Sequence, residues 1–210
     1  WDVQGGQTGY NSFGNIVFFG VGMYVCAGVQ IGLFTDLGAY NAAKGGNVLT
    51  LTAGQYYRGL LIGLAAAAVI PTLIAMAIGA FMLSLRGHYF AIGTLALGLT
   101  AAELASGWDL IGAGSGMVPP RFPGSSEGLG QIYYFGCFGL AIVTFLLLRW
   151  LYMTRFGLAL NAIRDDEDKA EAMGLRTVRY KTVGWAISAF FLGICGGLVG
   201  NFLLFIDPRE

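Results

Sequence analysis

Two groups of residues in this sequence have the types and spacing to do chemistry, and the larger is a charged segment near the C-terminal end. Residues 152–182 contain six of the chain's 12 lysines and arginines, and 165–168 are four consecutive acids. Acids in the first turn of a helix are stabilised by the helix dipole. We therefore predict two short helices, with Asp165 as the N-cap of the second and Gly174 as its end. A pair between Asp165 and Lys169 is also expected.

One interpretation of this charged segment is that it contacts another component on its side of the membrane. A solvated loop that only joins its neighbours has the same composition, so both interpretations remain open.

The second candidate is Glu103, the only carboxylate inside an apolar run of the sequence. Acids at membrane depth are functional candidates by default. Because Glu103 lies near the end of its run, it could also simply reach the membrane interface.

Other catalytic or ligand-binding chemistry is not indicated. The Gly-rich stretch 111–116 is not a phosphate loop, because the chain has no GxxxxGK[ST] pattern. Cys26, Cys137 and Cys195 lie far apart in apolar runs, without metal-ligand spacing. Twelve acids balance 12 bases, which leaves no charge footprint for nucleic acid. We predict a protein that is not an enzyme and that binds no cofactor or metal directly.

Five apolar runs must position these groups: 13–34, 59–83, 89–105, 132–150 and 183–206. About 20 apolar residues suffice to cross the roughly 30 Å of membrane hydrocarbon. Hydrophobic residues make up 56% of the chain and charged residues 11%. The predicted fold is an all-α polytopic membrane protein with about five spans in one domain, 1–210. Because short loops rich in Lys and Arg stay cytoplasmic, 152–182 is expected on that side.

The start of the first span is expected to be broken or re-entrant. Gly5, Gly6, Gly9 and Gly14 make a continuous helix costly there. Transporters use such breaks to present helix ends and backbone groups to a substrate, although a plain flexible lead-in would have the same composition. Our candidates for lining a pathway are Gln7, Thr8, Asn11, Ser12, Thr94 and Glu103. The chain begins without Met and stops just after a span, so we expect a piece of a longer protein.

Three stretches, in order, resemble a known family. The charged segment carries Phe156-Gly157-x-Ala159-x-x-Ala162-x-Arg164-Asp165-x-Glu167-x-x-Ala170-x-x-x-Gly174. It is similar to the cytoplasmic loop of permease subunits from branched-chain amino acid ABC importers. The stretches Gly87-His88-Tyr89-Phe90-Ala91-Ile92-x-Thr94-Leu95-Ala96 and Gly9-x-x-Ser12-x-Gly14-x-x-x-Phe18-Phe19-x-x-Gly22 resemble two further segments of that family.

The resemblance implies that 152–182 is the coupling element, which docks on a cytoplasmic ATPase. It also implies a homologous second permease subunit, two ATPase subunits that bind ATP and Mg, an external solute-binding protein and a prokaryotic inner membrane. Branched-chain or related hydrophobic amino acids are the expected cargo, with urea or short amides as the alternative. An ion-coupled secondary transporter is less favoured, because only Glu103 and His88 approach the ionisable groups that it would need.

Overall fold

The computed structural model describes residues 2–42, 49–85 and 87–208, with the side chain of residue 126 left out. A π-helical turn, Asp2–Gly6, precedes the helices. These are α1 (Asn15–Gly32), α2 (Leu37–Ala42), α3 (Ala53–Met82), α4 (His88–Ser106), α5 (Ser126–Tyr152), α6 (Arg155–Asp165), α7 (Glu167–Ala172) and α8 (Thr177–Leu203).

Five of these helices, α1, α3, α4, α5 and α8, are long and apolar enough to cross a membrane. This confirms the all-α polytopic fold predicted from the sequence. Helices α3 and α5 begin six residues before their apolar runs, because polar residues cap their starts. Thr52 and Gln55 form a capping box at the start of α3, and the Ser125 hydroxyl accepts from the Gly128 N–H at 3.2 Å before α5.

The core of the bundle is formed by α1, α3 and α8, whose backbones approach closely. A methyl group on Gly193 of α8 would collide with the carbonyl of Ala67 in α3, and one on Gly196 with the carbonyl of Phe19 in α1. Pro71 has no N–H to donate to that same Ala67 carbonyl. The glycine-rich face of α8 is therefore the surface on which the other two core helices pack.

The helices α4 and α5 lie at the periphery, and most of their apolar side chains are exposed, as lipid-facing or partner-facing surfaces would be. At the end of the bundle opposite α6 and α7, the loop after α4 covers the core. There the backbone N–H groups of Met117 and Ile206 each donate to the other residue's carbonyl at 2.9 Å, and both side chains are buried. The charged helices α6 and α7 lie at the other end, at the foot of α5 and α8.

Candidate functional site: the charged helices and the segment beneath them

The N-terminal segment 2–14 is not a continuation of α1. After the π-helical turn, residues 7–14 are non-helical, and Gly9 has a φ of +72°, which favours glycine. The segment packs against α6, α7 and α8 at the charged end of the bundle. The broken start predicted from the four glycines is therefore present.

The centre of the site is a buried ion pair between α8 and α7. The Lys181 side chain is only 1% exposed, and its Nζ lies 2.6 Å from Oε1 of Glu167, which is 13% exposed. The other carboxylate oxygen of Glu167 accepts a hydrogen bond from the Tyr10 hydroxyl. The ammonium also lies 4.2 Å from the centroid of the Tyr10 ring, within reach of a cation–π interaction.

This network holds three parts of the chain together, namely the N-terminal segment, α7 and α8. Burial alone would raise the pKa of the Glu167 carboxyl, but hydrogen bonds from Lys181 and Tyr10 outweigh it and the pKa is lowered. Glu167 is therefore ionised at neutral pH. Gln4, which is fully buried, donates from Nε2 to the Lys181 carbonyl at 3.0 Å and fixes the backbone at the same point.

Further contacts attach the charged helices to the foot of the bundle. The Thr177 hydroxyl donates to Glu171 Oε1 at 2.6 Å, and the Tyr152 hydroxyl donates to Asp2 Oδ2 at 2.8 Å. Arg164 Nη1 donates to the Gly6 carbonyl at 3.4 Å. These contacts fix α7 to α8 and α6 to the N-terminal segment, and they hold that segment to the end of α5.

The break between α6 and α7 lies one residue later than predicted. Asp165 is the last residue of α6, and the N-cap of α7 is Asp166, whose side chain accepts from the Lys169 N–H at 3.0 Å. Asp166 also forms the ion pair with Lys169, at 2.8 Å, that was expected for Asp165. The reason is that α6 continues to Asp165, so only the next residue adopts the extended backbone of an N-cap.

The predicted end of α7 is correct. Gly174 has a φ of +88°, its N–H donates to the Glu171 carbonyl at 2.9 Å, and the Leu175 N–H donates to the Ala170 carbonyl at 3.0 Å. This is a Schellman motif, in which a left-handed glycine follows the helix and the last carbonyls are satisfied.

The residues predicted to couple to an ATPase fall into two groups. Gly157, Ala159 and Ala170 are buried against the bundle, and half-buried Phe156 lies 5.8 Å from the Tyr180 ring. Together with Glu167, they attach the charged helices to the bundle. The exposed members are Ala162, Arg164, Asp165 and Gly174, of which Arg164 also contacts the N-terminal segment.

The outward face of α6 is a stripe that sequence reasoning did not separate from the rest. Arg155, Leu158, Ala162 and Asp165 recur at helical spacing, and all four are exposed. Leu158, in the middle of this row, is 67% exposed. Arg155 and Asp165 place a positive and a negative charge at the two ends of the row. We call these four residues the α6 stripe.

The pathway candidates do not all lie together. Thr94 lies next to the residue that follows Ser12, because the Phe13 N–H donates to Thr94 Oγ1 at 3.2 Å. Thr8 is buried, Gln7 is half-buried and Asn11 is exposed on the same segment. Glu103 is exposed further along α4, nine residues or about 14 Å beyond Thr94. That any of them lines a pathway stays a prediction.

Sequence reasoning missed Tyr10 and Gln4. It used Lys181 as one of the basic residues that orient the loop and as a position shared with the resembling family, without predicting its burial. The sequence signal for its burial was its position just before the apolar run 183–206, four residues ahead of Trp185. Tyr10 and Gln4 are separated from it by more than 170 residues, and no local pattern indicates their contacts.

Comparisons with known proteins agree with the geometry. The family model described as branched-chain amino acid transport system / permease component matches residues 1–209. The chain is 25% identical over 221 aligned residues to the high-affinity branched-chain amino acid transport system permease protein LivM of Salmonella typhimurium. That alignment covers 92% of this chain and 52% of LivM, so the chain spans about half the length of this curated relative. No solved structure matches it.

The match over almost the whole chain, together with five candidate spans and a charged helix pair fixed to them, identifies the family. This chain belongs to the permease components of branched-chain amino acid transport systems.

Proposed function

We propose that this chain is a transmembrane permease subunit of an ATP-binding-cassette importer for branched-chain or related hydrophobic amino acids. The observation that carries the proposal is the charged helix pair, which presents the α6 stripe outward and is fixed to the spans by the buried Lys181–Glu167 pair. Family membership and the name of the LivM relative support the cargo.

In this proposal, the α6 stripe docks on a cytoplasmic ATPase subunit. A helix that puts an exposed leucine between an arginine and an aspartate offers an apolar anchor with polar flanks, as protein interfaces do. Two ATPases bind ATP and Mg, so this chain itself hydrolyses nothing. A homologous second permease subunit and an external solute-binding protein complete the assembly in a prokaryotic inner membrane.

Movement of the docked helices reaches the spans through the contacts of the site. A displacement of α7 acts on α8 through Lys181, and on α1 through Tyr10 and the N-terminal segment. Since α1 and α8 are both core helices, a rigid tilt of the charged pair changes how the core opens to each side of the membrane. ATP binding then drives alternating access by favouring one of the two states.

The test compares two matched substitutions in the complete transporter. Ala162→Glu places a charge in the α6 stripe, whereas Ala172→Glu makes the same change at an exposed position of α7. We expect Ala162→Glu to abolish leucine-stimulated ATP hydrolysis and leucine uptake, and Ala172→Glu to leave both near the wild-type level.

Normal coupling in the Ala162→Glu transporter would refute docking through the stripe. Equal loss in both variants would show that α6 is not the specific contact. Uptake of urea but not leucine by the wild-type transporter would refute the proposed cargo.

A further inference from the structure

The N-terminus of α1 packs against two other candidate spans, α8 and α4. The Trp185 Nε1 donates to Asn15 Oδ1 at 3.1 Å, and the Phe13 N–H donates to Thr94 Oγ1 at 3.2 Å. Trp185 lies two residues after the start of the apolar run 183–206, and Thr94 lies five residues after the start of 89–105, or about 3 Å and about 8 Å along their helices. The first turn of α1 is therefore held between α8 and α4.

This helix start has no side-chain cap among the residues that the structure describes. The N-cap is Gly14, and a Cβ there would lie 2.9 Å from the carbonyl oxygen of Thr94, so the position cannot carry a capping side chain. An uncapped helix start presents free N–H groups and the positive end of the helix dipole. That is the arrangement with which proteins bind anions.

Two buried polar groups beside this helix start also lack a partner within the described part of the chain. The Oγ of Ser12 is one, in a side chain that is 3% exposed, and the Nδ2 of Asn15 is the other. The orientation of the Asn15 amide is fixed, because the Trp185 indole is only a donor and must face the amide oxygen. The unpartnered group of Asn15 is thus a donor.

The Val17 N–H already donates to the Gly14 carbonyl at 3.1 Å. The groups that remain are two kinds of donor, namely the N–H groups of Asn15 and Ile16 and the Asn15 NH₂, together with the Ser12 hydroxyl, which can donate or accept. Buried donors are normally satisfied, and a set of unsatisfied donors at a helix start selects a ligand with negatively charged oxygens. A neutral amide or urea would neutralise none of the positive dipole. A carboxylate satisfies several donors at once.

We propose that the α1 N-terminus, with Ser12 and Asn15, binds the carboxylate of the transported amino acid. The inference rests on the proposed function and specifies which part of the cargo this end of the chain recognises. Exposed Phe13 and Ile16 flank the site on the side where α1 is open. The Ser12 and Asn15 donors themselves are covered, so the solute reaches them when α1 separates from α4 during the transport cycle.

The sharpest variant is Asn15→Asp. It keeps an oxygen for Trp185 and the size of the side chain, but it replaces the free donor with an acceptor that repels a carboxylate. Asn161→Asp, a half-buried position on α6, is the matched control for the added charge. Ser12→Ala removes only the hydroxyl, with Ser84→Ala in the exposed turn after α3 as its control.

The experiment measures leucine binding to the complete transporter without nucleotide and without the solute-binding protein, with leucinamide as a competitor that lacks the carboxylate. We expect Asn15→Asp to weaken leucine binding about tenfold or more, since it removes a charge-assisted hydrogen bond and adds repulsion. Ser12→Ala should weaken it by a smaller factor, and both controls should bind as the wild type does. Leucinamide should compete weakly in the wild type.

Wild-type leucine affinity in Asn15→Asp, or leucinamide that competes as well as leucine, would overturn the assignment. If these results appear while the wild-type transporter takes up leucine with ATP, only the carboxylate site is wrong. If the wild-type transporter neither binds nor takes up leucine, the proposed function itself is wrong.

Discussion

Replacing Lys181 with methionine removes the positive charge at the centre of the site while keeping a side chain of similar length. Glu167 then keeps its negative charge but loses the ammonium 2.6 Å away, and the Tyr10 ring loses its cation. The hydroxyl of Tyr10 still donates to the carboxylate. Lys181→Met therefore tests the loss of the positive charge separately from any loss of side-chain volume.

The expected loss follows from burial. Removing one partner of a buried ion pair costs about 3–5 kcal/mol, because the remaining charge is left uncompensated. Lys181 is 1% exposed, but Glu167 retains 13% exposure and one further hydrogen bond. We therefore expect Lys181→Met to lower the free energy of unfolding by about 3 kcal/mol, at the low end of that range.

The assay is a double-mutant cycle in detergent, in which denaturant unfolding is followed by the reactivity of the buried Cys26 thiol. Glu167→Gln alone leaves the buried ammonium unpaired and should also destabilise strongly. The double variant removes both charges, so it should be more stable than the sum of the two single losses predicts, by about 1–3 kcal/mol.

Strictly additive losses would refute the reasoning, because they would mean that the two charges do not interact across 2.6 Å. A Lys181→Met variant as stable as the wild type would do so as well. Either result would remove the physical link between α7 and α8.

Three further predictions concern stability. Asp166→Ala should lower the unfolding temperature because it removes the N-cap of α7, whereas Asp165→Ala should not. A lower unfolding temperature in Asp165→Ala than in Asp166→Ala would show that Asp165 is the N-cap. Gly193→Ala should cost about 1–3 kcal/mol through overpacking between α8 and α3, while Gly139→Ala on the open side of α5 should be nearly neutral. The Glu167 contribution should be complete above its ordinary pKa of 4.5 and decline as the pH falls below it, because its folded-state pKa is lowered. Glu167→Gln should lack that component of the pH profile, and identical profiles would contradict the assignment.

The membrane topology could be predicted from the sequence because bilayer thickness imposes a length on apolar runs. All five runs are helices, and the four glycines correctly indicated a broken start before α1. The charged helices could be predicted as well, since acids and a glycine mark helix ends locally.

Contacts between distant parts of the chain could not be predicted. The N-cap was placed one residue early because four consecutive acids fit the first turn equally well, and only the end of α6 decides between them. Lys181 appeared as a solvated loop charge, although Glu167 and Tyr10 bury it. Those partners lie 14 and 171 residues away along the chain, beyond the range of any local pattern.

The most direct test of the account is site-specific photocrosslinking from position 158, in the middle of the α6 stripe, within the assembled transporter. We predict a crosslink from 158 to the ATPase subunit that changes in yield between nucleotide-free and ATP-bound states, and little or none from position 172. A position 158 that crosslinks to nothing, or only to a component outside the cytoplasm, would contradict the claim that this helix pair couples the spans to an ATPase.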